Sequence, residues 1–332
     1  MDAQEQIRKP YPSDLPESQW LLIAPLLPSS GGGRTRTTDL REVLNAVLYL
    51  FRTGCGWRHL PHDFPPEGTV RDYFHQWRRA GVWQTIHDQL RRAVRVQEER
   101  DPEPSAAIID SQSVKATRTT GSRGYDAGKK INGRKRHLLV DTLGLLLFVV
   151  VHVASIQDRD GAKLVLEKCR ERLPRLQLIW ADGGYAGKLI AWTEQTCHWK
   201  LEIVKRSDKA EGFTVLPRRW VVERTISWVN NGRRLSKDYE YWSETSEALI
   251  HVSMIDVMLK RLTSRPLTEA ARRQLAACPQ TPNFPHALSA MNGPRRHRPE
   301  RASLRTRRAN PRSTKSAKFD FCILGGQGHR VF

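Results

Sequence analysis

Acidic residues are the scarce class in this chain: 332 residues carry 35 Asp plus Glu against 55 Lys plus Arg, a formal net charge of +20. A surface so short of negative charge points to a polyanionic partner, nucleic acid first. Long apolar runs are lacking as well. The longest, LGLLLFVVVHVAS over residues 143–155, is interrupted by His152 and falls short of the roughly 20 apolar residues of a membrane span. It reads as a buried strand or hairpin arm, and no membrane partner is expected. Cysteines are few and scattered (Cys55, Cys169, Cys197, Cys278, Cys322), and no two form a C-x-x-C pair. Scattered and odd in number, they support neither a disulfide framework nor a zinc knuckle and fit a reducing cytosol. The start, MDAQEQIRKPYPSD, has no apolar core and so no signal-peptide character. A cytoplasmic, nucleoid-associated protein is the expectation.

What is present divides the chain into four parts. Residues 1–12 read as a flexible start. Residues 13–100 read as all-helical. TTDLREVLNAVLYLFRTG opens on cap-type residues, repeats apolar positions at helical spacing and closes on Gly54. Thr69 is placed to cap TVRDYFHQWRRAG, and VWQTIHDQLRRAV repeats the pattern. Arg71, His75, Arg78 and Arg79 share the polar side of the second of these helices. Three short helices with such a face suit a helix-turn-helix DNA reader, and equally a small bundle with a solvated basic face. Past the charged linker VQEERDPEPSA the period changes. Strand-like runs fall at 105–111, 135–141, 145–154, 176–182 and 201–205, with helical patterns at 160–172, 187–198 and 217–235 and a hairpin at DTLG. Together, residues 101–263 predict an α/β domain, a mixed sheet flanked by helices. From 264 to 332 periodicity fails: the last 68 residues hold 14 Lys plus Arg against 3 acids. This basic tail is expected to be disordered apart from a short helix near TEAARRQLAA.

Three carboxylates stand out in the α/β part. Asp110 ends the run SAAIID, Asp182 ends LQLIWAD before the turn GGY, and Glu223 lies in the helical RRWVVERTISWVNNGRR. Taken singly, each Asp would more often merely end a strand or open a turn. Taken together in a strongly cationic chain, they suggest an Mg²⁺ site acting on phosphodiesters, because such ions are held by a few carboxylates plus water and phosphate. Two ions about 3.5–4 Å apart can clamp the attacking and leaving oxygens. Arg219, Glu223, Ser227, Asn230 and Arg234 follow one another at helical spacing, so arginines would flank the glutamate. Between the first two acids, Lys115 and the glycine-rich stretch with Lys129, Lys130, Arg134, Lys135 and Arg136 read as a flexible cationic segment able to follow a DNA backbone. His137 and His152 read as strand histidines, and Trp192, Trp199 and Trp228 as packing residues more than base-stacking ones.

IIDSQSVKATRTTGSRGYDAGKKINGRKRHLLVDTLGLLL, ADGGYAG and RRWVVERTISWVNNGRRLSKDYE, in that order, resemble the DDE transposases of bacterial insertion sequences of the insertion-sequence-five group. SQWLLIAPLLP, GCGWRHLP and TVRDYFHQW resemble the helical start of the same group. The resemblance covers roughly residues 10–263. It implies an RNase H-like catalytic fold and two divalent ions, Mg²⁺ with Mn²⁺ as a substitute. The implied reaction is excision and insertion of the parent element by metal-dependent phosphodiester hydrolysis and strand transfer. The implied partners are the element's terminal repeats, target DNA and further copies of the chain on DNA. Asp110, Asp182 and Glu223 would be the metal-binding catalytic triad, with Arg219 one helical turn before the glutamate. The group's signature also has a Tyr before that Arg and a Lys after the Glu; here those places hold Leu216 and Asn230, and Arg234 stands a turn further on. A nuclease of the same fold without strand transfer, or an inactive DNA-binding remnant or repressor, are the alternative readings.

Overall fold

The computed structural model describes residues 8–31, 37–204 and 219–277 and the pair Phe284–Pro285. The helical start comprises α1 (Glu17–Ile23), the two-residue β1 (Ser30–Gly31), α2 (Leu40–Thr53), α3 (Glu67–Arg79) and α4 (Val82–Gln97). Asp39 caps α2, its Oδ1 accepting from the Arg41 NH at 2.7 Å, and Gly54 ends it at φ 74°, a left-handed conformation that favours glycine. The start of α3 lies earlier than Thr69. Pro66, at φ −47°, leads straight into the helix and gives up no NH in doing so, which leaves Thr69 inside the first turn.

The strands that follow are β2 (Ala106–Lys115), β3 (Gly124–Asp126), β4 (Ile131–Asp141), β5 (Leu146–Val153), β6 (Leu178–Ala181) and β7 (Lys200–Ile203). Helices α5 (Asp158–Cys169) and α6 (Lys188–Cys197) are interleaved with the last of them. Then come α7 (Trp220–Asn230), α8 (Ser243–Thr263), α9 (Glu269–Ala276) and β8 (Phe284–Pro285), which pairs in parallel with β1. The main sheet runs β5-β4-β2-β6-β7, with β3 added to the start of β4. Strand β4 is antiparallel to both β2 and β5, and β2, β6 and β7 are mutually parallel. This is the RNase H-like arrangement. The DTLG hairpin forms as expected: Asp141 Oδ1 accepts the NH groups of Leu143 and Leu145 at 2.9 and 2.8 Å.

Side chains alternate across a strand, so β2 divides its residues between two cores. Ala107 and Ile109 join Leu139, Ile179, Val165, Leu166 and Leu189 beneath α5 and α6. Ile108 joins Leu138, Val140, Trp180, Val222, Val229 and Leu249 on the other face, and that cluster runs on into Val47, Phe51, Leu90 and Val94 of the helical start. Packing therefore crosses the linker near residue 100, where Arg95 Nη1 also donates to the fully buried Asp141 at 2.5 Å. Helix α8 gives no clear sequence signal because 13 of its 21 residues are buried, Ser246, Ser253 and Asp256 among them, which leaves no simple polar stripe. The short helix expected near residue 268 forms as α9. What composition did not show is that it packs on α4: Gln97 accepts from the Thr268 NH at 2.8 Å and donates to Pro266 O at 2.9 Å. The rest of the basic tail, Phe284–Pro285 apart, lies outside the described residues, as do residues 1–7 and Leu216. Among the described residues no helix is long and apolar enough to cross a membrane.

Candidate active site

Strand register brings the two aspartates side by side. The last paired positions of β2 and β6 are Ile108 and Trp180, and Asp110 and Asp182 each lie two residues beyond. In parallel strands that step puts both carboxylates on the face of Ile108 and Trp180, where α7 packs. Asp110 is not at a strand end, as its apolar run suggests. Strand β2 continues to Lys115 because residues 110–115 stay paired with β4, and only the ladder to β6 stops. Asp182 does end its strand. Its Oδ1 accepts from the Gly184 NH at 2.8 Å and so caps the turn Gly183–Tyr185.

Helix α7 is held against the sheet by the β4–β5 turn. Thr225 Oγ1 donates to Gly144 O at 2.7 Å and Arg224 Nη2 to Leu143 O at 2.9 Å, while Val221 and Val222 are buried. This sets Glu223 in the first turn and Arg219 just before it. Arg219 Nη2 lies 3.7 Å from Asp182 Oδ2 and 3.9 Å from Glu223 Oε1, beyond hydrogen-bond length, so one guanidinium faces two of the three acids. Asp110 belongs to the same neighbourhood. Burial raises its carboxyl to about 6, against the lowering effect of the Ser111 NH; Asp182 pushes it up further, and Arg219 and Lys129 pull it down.

A polar layer lies on the opposite face of β2 and went unrecognised in the sequence. Ser111 Oγ donates to Asp158 Oδ1 at 2.7 Å, and Lys135 Nζ reaches Asp158 at 2.9 Å and Ile156 O at 2.9 Å. Tyr185 is buried nearby, its phenol pushed well above its ordinary value by burial first and then by Asp110 and Asp158. The available signal was Ser111 and Ser113 on β2 and Lys135 and His137 on β4, polar side chains at alternate positions of paired strands. His137 and His152 bond to each other at 2.8 Å, and burial pushes His137 down to about 3, in keeping with the strand-histidine reading.

The basic candidates divide. Lys115, Lys129 and Lys130 are exposed. Arg134, Lys135 and Arg136 are not on a flexible segment: they lie within β4 at 1%, 3% and 0% exposure. Arg134 binds Asp238, Ser122 O, Glu240 O and Tyr241 O, and Arg136 binds Leu235 O at 2.8 Å, so the pleat turns these cations into internal braces. Arg234 also leaves the face of Glu223. Helix α7 ends at Asn230, and Gly232 packs so closely on Phe51 that a Cβ there would lie 2.0 Å from its ring. Arg234 is thereby turned inward onto Glu240 at 2.6 Å and Cys55 O at 3.0 Å. On α3, Arg71 and Arg78 are partly exposed and Arg79 exposed; after burial, the charges of Arg78, Arg79 and Arg71 lower the His75 pKa, so the expected basic face exists. Trp199 is buried, and Trp228 lies between Arg224 and Arg261 at 4.7 and 4.6 Å, in keeping with packing roles.

Hard oxygen donors and a carboxyl strained by burial beside a second one make Asp110, Asp182 and Glu223 chemically suited to a divalent cation. As the side chains stand, no three His, Cys, Asp or Glu among the described residues are gathered closely enough to hold an ion. The set is open, with Glu223 largely exposed.

Comparison with known proteins adds three findings. Residues 101–255 match the transposase DDE domain, and residues 15–87 match the family of IS4/5 transposases. An uncharacterized 16.2 kDa protein of the insertion element IS402 from Burkholderia cepacia is 32% identical over 105 residues, 29% of this chain and 69% of that protein. Two family matches in sequence order and that relative place the chain among the DDE transposases of IS4/5-type insertion elements.

Proposed function

We propose that Asp110, Asp182 and Glu223 together hold divalent cations, Mg²⁺ or Mn²⁺ and two of them, and that the site cuts and rejoins DNA. The observation that carries this is the shared register of Asp110 and Asp182 beside an Arg219 that also faces Glu223. When bound, the cations supply Lewis acidity at the phosphate and a water acidic enough to attack at neutral pH. The chain's own contributions follow from their positions. Arg219 holds a non-bridging phosphate oxygen between the two acids it faces. Asp110, its carboxyl raised by burial and by Asp182 in the metal-free chain, would ionise as it takes up a cation. Lys129 adds positive potential beside Asp110.

In the first reaction water adds to phosphorus at the element's end and the P–O3′ bond breaks, leaving a 3′-OH and a 5′-phosphate. In the second, that 3′-OH attacks a target phosphodiester, a new P–O bond forms, and the target's own 3′-oxygen leaves. No protein nucleophile is needed, and the element's two ends would be served by further copies of the chain. Exposed Lys115, Lys129 and Lys130 and the basic face of α3 would contact the duplex. Incubation with element-end and target DNA in Mg²⁺ tests the reading: joined product is expected, and cutting without joining would show a nuclease instead.

A further inference from the structure

Two adjacent aromatic side chains stand out in solvent, Tyr241 at 61% and Trp242 at 58% exposure, their rings edge to face at 4.8 Å. Neither was marked out by the sequence. Their backbone is fixed from below: Arg134 Nη2 donates to Tyr241 O at 2.7 Å and Nη1 to Glu240 O at 3.0 Å. The Gly121 NH reaches Tyr241 O at 3.3 Å, and the Asp238 NH donates to Lys115 O at 2.8 Å, so the segment continues the edge of β2. The segment's acids turn inward, Asp238 to Arg134 and Glu240 to Arg234. On the segments that meet here, Lys115, Arg118, Arg123 and Lys237 are exposed and form no ion pair among the described residues, against one exposed acid, Glu244, so the balance is basic. Rigid aromatic faces among cations are the features that bind unstacked bases, since the rings cover base faces while the cations follow phosphates. A base within a duplex has both faces already covered.

We propose that this ledge holds unpaired nucleotides of the DNA strand next to the scissile phosphate. The inference rests on the transposase reading above. Lys115 lies five residues along β2 from Asp110, roughly 17 Å at strand spacing, which is about five steps of stacked bases. The buried Arg134 is a positioning residue for the ledge and touches no DNA.

The test is binding in EDTA, where no cutting occurs. It uses the full chain and two probes: element-end duplex, and the same duplex with a five-nucleotide single-stranded extension carrying 2-aminopurine. At one salt concentration the wild type is expected to bind the extended probe roughly tenfold more tightly and to quench the 2-aminopurine, as stacking does. The double variant Tyr241→Ala/Trp242→Ala should lose that increment and keep its duplex affinity and melting temperature, and Trp242→Phe should keep part of the increment. Equal loss on both probes, no loss on either, or no quenching by the wild type overturns the proposal. A wild type that binds neither probe overturns the DNA reading beneath it as well.

Discussion

Around Asp238, charges are answered at short range. Arg134 reaches its carboxylate at 3.2 Å and three carbonyls besides, Ser246 Oγ donates to the same carboxylate at 2.9 Å, and Arg234 meets Glu240 at 2.6 Å. Around Arg219, on the same face of the same sheet, the contacts are 3.7 and 3.9 Å and Asp110 is left ionised only at a cost. The first set behaves as scaffold, because a buried charge fully supplied with partners is tied to one geometry. The second is under-supplied, which is how groups that await a ligand differ from groups that hold a fold together.

Breaking the first set should have the largest effect. Arg134→Ala strands Asp238 in the core without its cation, and removal of one partner of a buried pair costs about 3–5 kcal/mol. Urea unfolding should show that loss, and Asp182→Asn, at a partly exposed carboxylate, should shift the midpoint little. A similar midpoint for both variants would erase the distinction between the two sets.

The second set should respond in the opposite sense. Asp110 has its folded pKa raised from 3.8 to about 6, so its proton stabilises the fold. That stability is fully present below about pH 4 and is lost as pH rises through about 6. In metal-free protein, Asp110→Asn should therefore be the more stable form at pH 8, by on the order of 3 kcal/mol, and the advantage should vanish near pH 4. Unfolding of both forms in EDTA from pH 4 to 8 measures it; a destabilised variant at pH 8 would mean that Asp110 is already well partnered.

The smallest effect concerns the C-terminal end of the fold. Gln97→Ala removes both bonds to the chain before α9 and should cost about 1–2 kcal/mol. Faster amide exchange in α9, with α7 unchanged, would accompany it.

One side of this contrast was legible in the sequence, and the other was hidden for physical reasons. Asp182 before GGY and Glu223 in its amphipathic helix were readable because turn chemistry and helical period are local properties. The burial of Arg134, Lys135 and Arg136 was not. Six basic residues within a stretch of fourteen look solvated, and only the pairing of β4 with strands on both sides reveals that they are enclosed. Arg234 was misassigned for a similar reason: its spacing from Glu223 continues a helix that the approach of Gly232 to Phe51 terminates. Helix α8 and the cap-like Thr69 were obscured by all-round burial and by a preceding proline. Tyr241 and Trp242 lie on no periodic element, so nothing in the pattern marks them as exposed.

The central claim, that Asp110, Asp182 and Glu223 form one cation site, is tested most directly by calorimetric titration of the purified chain with Mn²⁺. The account predicts saturable binding by the wild type that is lost in Asp110→Asn and in Asp182→Asn, weakened in Glu223→Gln and unchanged in Arg134→Lys. Equal Mn²⁺ binding by the wild type and Asp182→Asn would contradict it.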